Sequence, residues 1–164
     1  MSYLETDGAA VLVRAADTET LGEAPNTVRL YADAGATQGK LSSQRVTLSG
    51  GADGAAPHHH TGSAELFFVL SGSLQVLAGD DIVTAGEGDF LVVPPKMPHA
   101  FGASVGSDAD VLIVITPGVE RFEYFRLLDR VRKGTATPQE ILDSQERFDN
   151  RFLDSPKWRA ARAR

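Results

Sequence analysis

Short apolar segments separated by turn sequences fill the chain from residue 11 to about residue 117. The segments are rich in β-branched and aromatic residues, and the sequences between them, such as SGGADG, AGDD and GEGD, have turn composition. Strands that recur roughly every ten residues without a helix between them predict an antiparallel sandwich or barrel. The predicted strands are VLVRA, TVRLYAD, QRVTL, ELFFVL, SLQVLAG, DIVTAG, DFLVVP and DVLIVIT.

After residue 117 the pattern changes from strands to helices. The segment VERFEYFRLLDRVRKG carries apolar residues at a spacing of three, which predicts a helix that ends at Gly134. A capping box at TPQE predicts a second helix from Thr137 through about Asn150, and Ser155 with Pro156 predicts a third. The spaced apolar residues of the first helix are Phe122, Phe125, Leu128 and Val131.

These two patterns divide the chain into two predicted regions. Residues 1–117 form an all-β barrel domain, and residues 118–164 form a C-terminal helical extension. The aromatic residues of the extension, including the single tryptophan Trp158, are interpreted as packing against the barrel or against a second subunit.

Composition and charge narrow the function classes. The net charge of −6 argues against a nucleic-acid binder, and the absence of cysteine excludes disulfides, thiolate catalysis and metal sites built on sulfur. No apolar run approaches the roughly 20 residues of a membrane span, and MSYLETDGAA has no signal-peptide pattern. We therefore expect a cytoplasmic protein that binds neither nucleic acid nor membrane.

Candidate chemistry concentrates in PHHHTGSAE. Side chains two residues apart in a strand share a face, so His58 and His60 point the same way and His59 points the other. Glu65 is the first polar residue of the next, otherwise apolar strand, where an unpaired buried charge would be costly. His99, the remaining histidine, follows a proline-rich turn at the head of a further strand.

If these strand ends converge, three imidazoles and one carboxylate meet at one point. Such a nitrogen and oxygen donor set suits a divalent transition metal such as Fe, Mn, Ni, Co or Zn. With four protein ligands an octahedral metal keeps two positions open, which is typical of a catalytic site. The alternative is that the adjacent histidines form a solvent-exposed loop or ordinary core positions.

Two motifs resemble those of the cupin superfamily. HHHTGSAELFFVLSG, from His58, has the histidine and glutamate spacing of the first cupin motif, and GDFLVVPPKMPH, ending at His99, is similar to the second. The resemblance covers about residues 40–117. Ala52, Lys96 and Ala103 depart from it, because they stand where the family has two glycines and an asparagine.

The resemblance implies a jelly-roll barrel with one metal inside, held by His58, His60, Glu65 and His99, and commonly a homodimer. The end of the chain also resembles that of single-domain quercetin-dioxygenase-like cupins. The leading hypothesis is therefore a dioxygenase that acts on a small phenolic or enol-type compound, with Glu65 as ligand and proton acceptor.

By parity with Glu65 and His99, the substrate pocket is predicted to include Phe67, Val69 and Phe101, for which ordinary barrel core is the alternative. Two other functions stay open. One is a non-redox isomerase, cyclase or dehydratase, and the other is a cupin that binds a small molecule without transforming it.

Overall fold

The structure is a computed structural model of the chain and describes residues 4–163. Residues 1–3 and 164 lie outside this range, so it covers all but the first three residues of the predicted barrel domain and all but the last residue of the predicted extension. The start of MSYLETDGAA likewise lies outside the described residues.

Strands fill the first two thirds of the described chain, and short helices follow. The strands are β1 (Glu19–Glu23), β2 (Asn26–Ala32), β3 (Ser42–Leu48), β4 (Asp53–His59), β5 (Ala64–Ala78), β6 (Asp81–Gly86), β7 (Phe90–Val93), β8 (His99–Ala103), β9 (Ala109–Thr116) and β10 (Arg151–Phe152). The helices are α1 (Phe122–Arg132), α2 (Pro138–Asp143), α3 (Gln145–Phe148) and α4 (Pro156–Arg162). None of these helices is long and apolar enough to cross a membrane.

Every strand pairing is antiparallel, in the order β1-β2-β3-β9-β5-β8-β4-β10, with β6 and β7 each paired to β5. Burial alternates residue by residue along β3 and β9, because one face of each strand points into the barrel. The interior contains fully buried apolar side chains such as Leu48, Val111 and Ile113. The predicted antiparallel jelly-roll barrel with a C-terminal helical tail is confirmed.

A single long strand replaces two of the predicted ones. ELFFVL and SLQVLAG belong to β5, whose first half pairs with β7 and β9 and whose second half pairs with β6 and β8. The residues predicted as a turn between them instead form an irregularity in the strand, with a register shift between Val69 and Ser71 and with Gly72 at φ +78°. This bend lets β5 pass from one side of the barrel to the other.

The first predicted strand is wrong. Residues 11–14 of VLVRA have no regular structure, residue 15 begins a short 3₁₀ turn (Ala15–Asp17), and Val11 and Leu12 are exposed. The first strand is β1, which starts at Glu19 and pairs with β2. Alternating apolar residues form a core strand only where another strand pairs with them. Among the described residues, no strand pairs with residues 11–14.

The helical tail folds back on the barrel within the same chain. α1 is confirmed as a helix, yet its most buried apolar residues are Tyr124 and Leu127 rather than the predicted stripe, which is only half-buried. The predicted second helix is two short helices, α2 and α3, interrupted at Ser144 and ended by Asp149 in the left-handed conformation at φ +47°.

The end of the tail is fixed by α4. Trp158 packs with Leu77 and Ala100 of the barrel, as the interpretation of barrel packing expects. The guanidinium of Arg162 donates to the backbone carbonyls of Gly51 and Ala103, at 2.8 and 2.7 Å. The tail is therefore attached both by apolar burial and by hydrogen bonds.

We predict that Gly72→Ala destabilises the fold by about 3 kcal/mol, since a methyl group there would lie 2.0 Å from the carbonyl oxygen of Asp108 in a backbone that already has positive φ. Gly88→Ala is the matched control: its φ is +84° but nothing lies within 4 Å, so only the conformational cost of about 1 kcal/mol remains. Urea unfolding measures both, and equal losses would contradict a steric cost from the close approach of Asp108.

A second prediction concerns acid stability. The Asp129 carboxylate pairs with Lys133 at 2.7 Å and Arg132 at 2.9 Å and accepts from the Gly22 N–H at 3.1 Å, which joins α1 to β1. The hydrogen bond with Lys133, opposed by burial and aided by Arg132, lowers the pKa of Asp129 to about 2.

Because this pKa is below the unfolded value, the stabilisation is present above about pH 4 and is lost as the pH falls through about 2. Because solvent screens the exposed partners, Asp129→Asn should lower the free energy of unfolding by only about 1–2 kcal/mol at neutral pH. The difference in this free energy between the variant and the natural chain should vanish towards pH 2. Denaturant unfolding across pH checks this, with the exposed Asp17→Asn as control. A constant difference from pH 7 to 2 would refute it.

Candidate metal centre

Strand β4 ends with His58 and His59, and His60 follows it directly. His58 and His60 are 3% and 1% exposed, whereas His59 is half-buried between them and points away. This is the arrangement that the period of two predicts, and it excludes His59 from the buried cluster.

The other two members come from the starts of separate strands. Glu65 is the second residue of β5, and His99 is the first residue of β8, directly opposite His58 in the pairing with β4. One ligand atom from each of His58, His60, Glu65 and His99 lies within 4.8 Å of the others, and all four residues are buried. We call these four residues the histidine–glutamate cluster.

Backbone carbonyls fix the orientation of all three imidazoles. A carbonyl can only accept, so each ring donates its Nδ1–H outward and turns Nε2 towards the carboxylate. The acceptors are Ala56 for His58 at 2.7 Å, Asp149 for His60 at 2.7 Å and Met97 for His99 at 2.9 Å. This outer hydrogen bonding is what metal-ligating imidazoles use to fix their tautomer.

The carboxylate of Glu65 is the point on which the rings converge. Its Oε2 lies 2.5 Å from Nε2 of His99, 2.9 Å from Nε2 of His60 and 3.9 Å from Nε2 of His58. Burial alone would raise the pKa of Glu65, but the charge and hydrogen bonds of His99 and His60 outweigh it and hold that pKa well below its usual range.

The two neighbouring imidazoles respond in opposite directions. Burial, reinforced by His99, lowers the pKa of His58 well below its ordinary value, so this ring is neutral. Burial also acts to lower the pKa of His99, but the Glu65 carboxylate outweighs it and raises that pKa. The 2.5 Å contact between His99 and Glu65 is thus held by a proton, which a bound cation would replace.

The turn before His99 places Lys96 where the second cupin motif has a glycine. Lys96, which stands at the glycine position, adopts the left-handed conformation at φ +70°, and its N–H donates to the carbonyl of His60 at 2.7 Å. Lysine in this conformation costs about 1–2 kcal/mol relative to glycine. The departure in sequence therefore leaves the turn intact and connects it to a cluster residue.

A cavity of about 600 Å³ opens beside the cluster. His58 and Glu65 line it, together with apolar residues of the barrel such as Ile113 and Val46. This volume falls within the range of small-molecule sites in proteins. A ligand in the cavity would therefore reach two members of the histidine–glutamate cluster directly.

Of the predicted pocket residues, Phe101 lines this cavity, but Phe67 and Val69 do not. Both point inward, as their parity requires, and both are about 1% exposed within the hydrophobic core. The ring of Phe67 packs between Phe101 and His99, with centroids 5.5 and 6.3 Å away. Phe67 therefore supports the wall and the cluster from behind.

The polar residues that line the cavity were not predicted from the sequence. Gln44 of β3, Arg121, Tyr124 of α1 and Asn150 all line it, and α1 forms one of its walls. The only available signal was Arg121 itself, a charged residue next to the aromatic stripe of the first predicted helix. The role of α1 in the cavity was not predicted.

The chain matches known proteins by family model and by structure. The family model described as the cupin domain matches residues 44–116, and no curated protein sequence matches the chain. An RmlC-like cupin from Shewanella frigidimarina shares 16% identity at a TM-score of 0.57, covering 71% of this chain and 96% of that one.

Two further solved structures are similar in fold. The polyketide cyclase RemF from Streptomyces resistomycificus shares 21% identity at a TM-score of 0.54, covering 66% of this chain and 80% of that one. The nucleoside dehydratase Pac13, from Streptomyces, shares 15% identity at a TM-score of 0.53, covering 66% of this chain and 83% of that one. Residues 44–116 thus match the cupin domain, and the barrel has the fold of these solved cupin structures.

Proposed function

We propose that this cupin is a metal-dependent enzyme that acts on a small molecule bound in the cavity. The observation that carries the proposal is that His58 and Glu65 belong to the histidine–glutamate cluster and also line the cavity. A cluster with only a structural role would have no need to face a cavity large enough for a ligand.

The residues fit one divalent transition metal, with the histidine–glutamate cluster as its ligands. Three Nε2 atoms held by outer hydrogen bonds and one carboxylate form a nitrogen and oxygen donor set that Fe, Mn, Ni, Co and Zn all accept. Such an ion supplies Lewis acidity and, where it is redox-active, electron exchange with oxygen.

Glu65 has a second proposed role as proton acceptor. Its carboxylate lies at the cavity wall, so a substrate hydroxyl placed there would be within reach for proton transfer to it. Phe101 and the neighbouring apolar wall would hold a flat ring and exclude water. Phe67 and Val69 contribute to this wall only through the core that supports it.

Two reaction classes use such a site. Dioxygenation of a phenolic or enol-type compound is the class that the sequence predicts, and a non-redox isomerase, cyclase or dehydratase reaction is its rival. The cyclase and the dehydratase among the structural neighbours support the rival. A cupin that only binds a small molecule is the third possibility, and turnover separates it from both.

Oligomeric state and location are further proposals. We propose a homodimer, for which the exposed apolar side chains of Phe68, Phe90 and Val92 on the outer face of β5 and β7 offer a surface. A cytoplasmic location fits a chain without cysteine.

The metal prediction compares adjacent histidines. His58→Ala, His60→Ala and His99→Ala should each reduce metal content at least about tenfold, because each removes one nitrogen ligand. Elemental analysis of the purified proteins measures this. His59→Ala is the matched control and should bind as much metal as the natural chain, since its side chain lies outside the cluster.

Equal metal content in all five proteins would reject the centre. Circular dichroism of each variant shows whether the fold is retained, so that loss of metal can be distinguished from unfolding.

The reaction prediction separates the two classes by oxygen. Metal-loaded protein is incubated with phenolic and enol-type compounds in air and under argon, with an oxygen electrode and product analysis. Oxygen uptake in step with product identifies a dioxygenase, and equal turnover under argon identifies a non-redox enzyme. In either case Glu65→Gln should lower kcat at least about 100-fold, because it removes both the proton acceptor and a charged metal ligand. No conversion in air or argon by protein shown to hold metal would contradict an enzyme.

A further inference from the structure

Arg121 places a buried positive charge in the cavity wall. It directly precedes α1, lines the cavity and is only 4% exposed. Burial lowers its pKa, yet a guanidinium remains charged in proteins. A buried cation is costly unless it has a counter-charge and hydrogen-bond acceptors, so its partners are informative.

The protein satisfies this guanidinium incompletely. Within residues 4–163 its one side-chain hydrogen bond runs from Nη1 to Oδ1 of Asn150, at a long 3.5 Å. Its Nε–H has no acceptor in this part of the chain. The ring of Tyr124 lies 4.4 Å from the guanidinium carbon, which fixes the plane of the group but accepts no N–H in its plane.

The nearby carboxylates are engaged elsewhere. Asp33 accepts the backbone N–H groups of Arg121 and Phe122, and Asp149 accepts from Thr61. The carboxylate of Glu65 is occupied by the imidazoles. None of these residues forms a salt bridge with Arg121 in the described part of the chain, although all three raise its pKa from a distance.

A second polar group of the cavity is also incomplete. Gln44 is 2% exposed, lines the cavity, and its Oε1 has no hydrogen-bond donor among the described residues. A buried acceptor without a donor costs about 1–3 kcal/mol. Both residues line the cavity, and each has a buried polar atom without a partner among the described residues.

We infer that Arg121 binds the carboxylate of the substrate, and that Gln44 accepts a hydrogen bond from a hydroxyl group of the same molecule. The substrate class is then a small organic acid that also carries a hydroxyl group. This inference rests on the proposed function for the statement that the ligand is a substrate. The subsite itself is built from residues outside the histidine–glutamate cluster.

The test uses a pair of probes that differ in charge and hardly in shape, 3-hydroxybenzoate and its neutral amide, 3-hydroxybenzamide. Calorimetric titration is run on metal-loaded protein and on chelator-treated protein. The natural chain should bind the carboxylate about tenfold more tightly than the amide in both states, because a charged hydrogen bond to guanidinium discriminates by at least that factor.

Variants of Arg121 assign the preference to this residue. Arg121→Gln should bind both probes equally, and Arg121→Lys should keep a weaker preference for the carboxylate, since ammonium retains the charge but loses the planar fork. Arg130→Gln is the matched control, because Arg130 is an exposed arginine of α1, the helix that Arg121 precedes, and should leave the preference unchanged.

The inference is overturned if the natural chain shows no preference for the carboxylate, including binding of neither probe, or if Arg121→Gln retains the full preference. Elemental analysis of the same samples tests the proposed function separately. A carboxylate preference in protein that takes up no metal would keep the anion subsite and reject the metal enzyme.

Discussion

Three hydrogen bonds from imidazole Nδ1 atoms to backbone carbonyls determine what the interior of this barrel can do. Each bond leaves Nε2 as the inward-facing nitrogen, so the three rings present lone pairs or protons to one carboxylate rather than to one another. Backbone acceptors cannot change rotamer, and a side-chain acceptor could. The orientation of the rings is therefore as rigid as the strands and turns that supply the carbonyls.

The helical tail contributes to both the cluster and the cavity. It adds β10 to the edge of β4, where Phe152 lies opposite His58, and it supplies the carbonyl of Asp149 to His60. It also closes the cavity with α1, which brings in Arg121 and Tyr124. The barrel thus supplies all four residues of the histidine–glutamate cluster, and the tail supplies one hydrogen-bond acceptor for them and part of the polar lining of the cavity.

Much of the barrel and the whole histidine–glutamate cluster were predictable from local patterns. The period of two separates His59 from its neighbours, and a lone glutamate at the start of an apolar strand needs buried partners. The strand at VLVRA was predicted wrongly, because the alternation of apolar residues does not show whether another strand will cover them. The bend at Gly72 was predicted as a turn for a similar reason: local composition indicates a change of direction but not its size.

The polar lining of the cavity could not be predicted in this way. Gln44, Arg121 and Asn150 come from three distant segments, and each is unremarkable in its own sequence context. Arg121 in particular resembles a surface residue at the start of a helix. Only the return of the tail over the barrel mouth places these groups together, and that packing depends on contacts of long sequence separation.

The bond between His60 and Asp149 also sets an order of events in the cell. The two residues are 89 positions apart, so at ordinary rates of translation roughly 5 to 20 s pass before the acceptor has been synthesised. Until then the ring of His60 lacks the acceptor that fixes its orientation. The histidine–glutamate cluster therefore reaches its complete hydrogen bonding only after the helical tail has been synthesised.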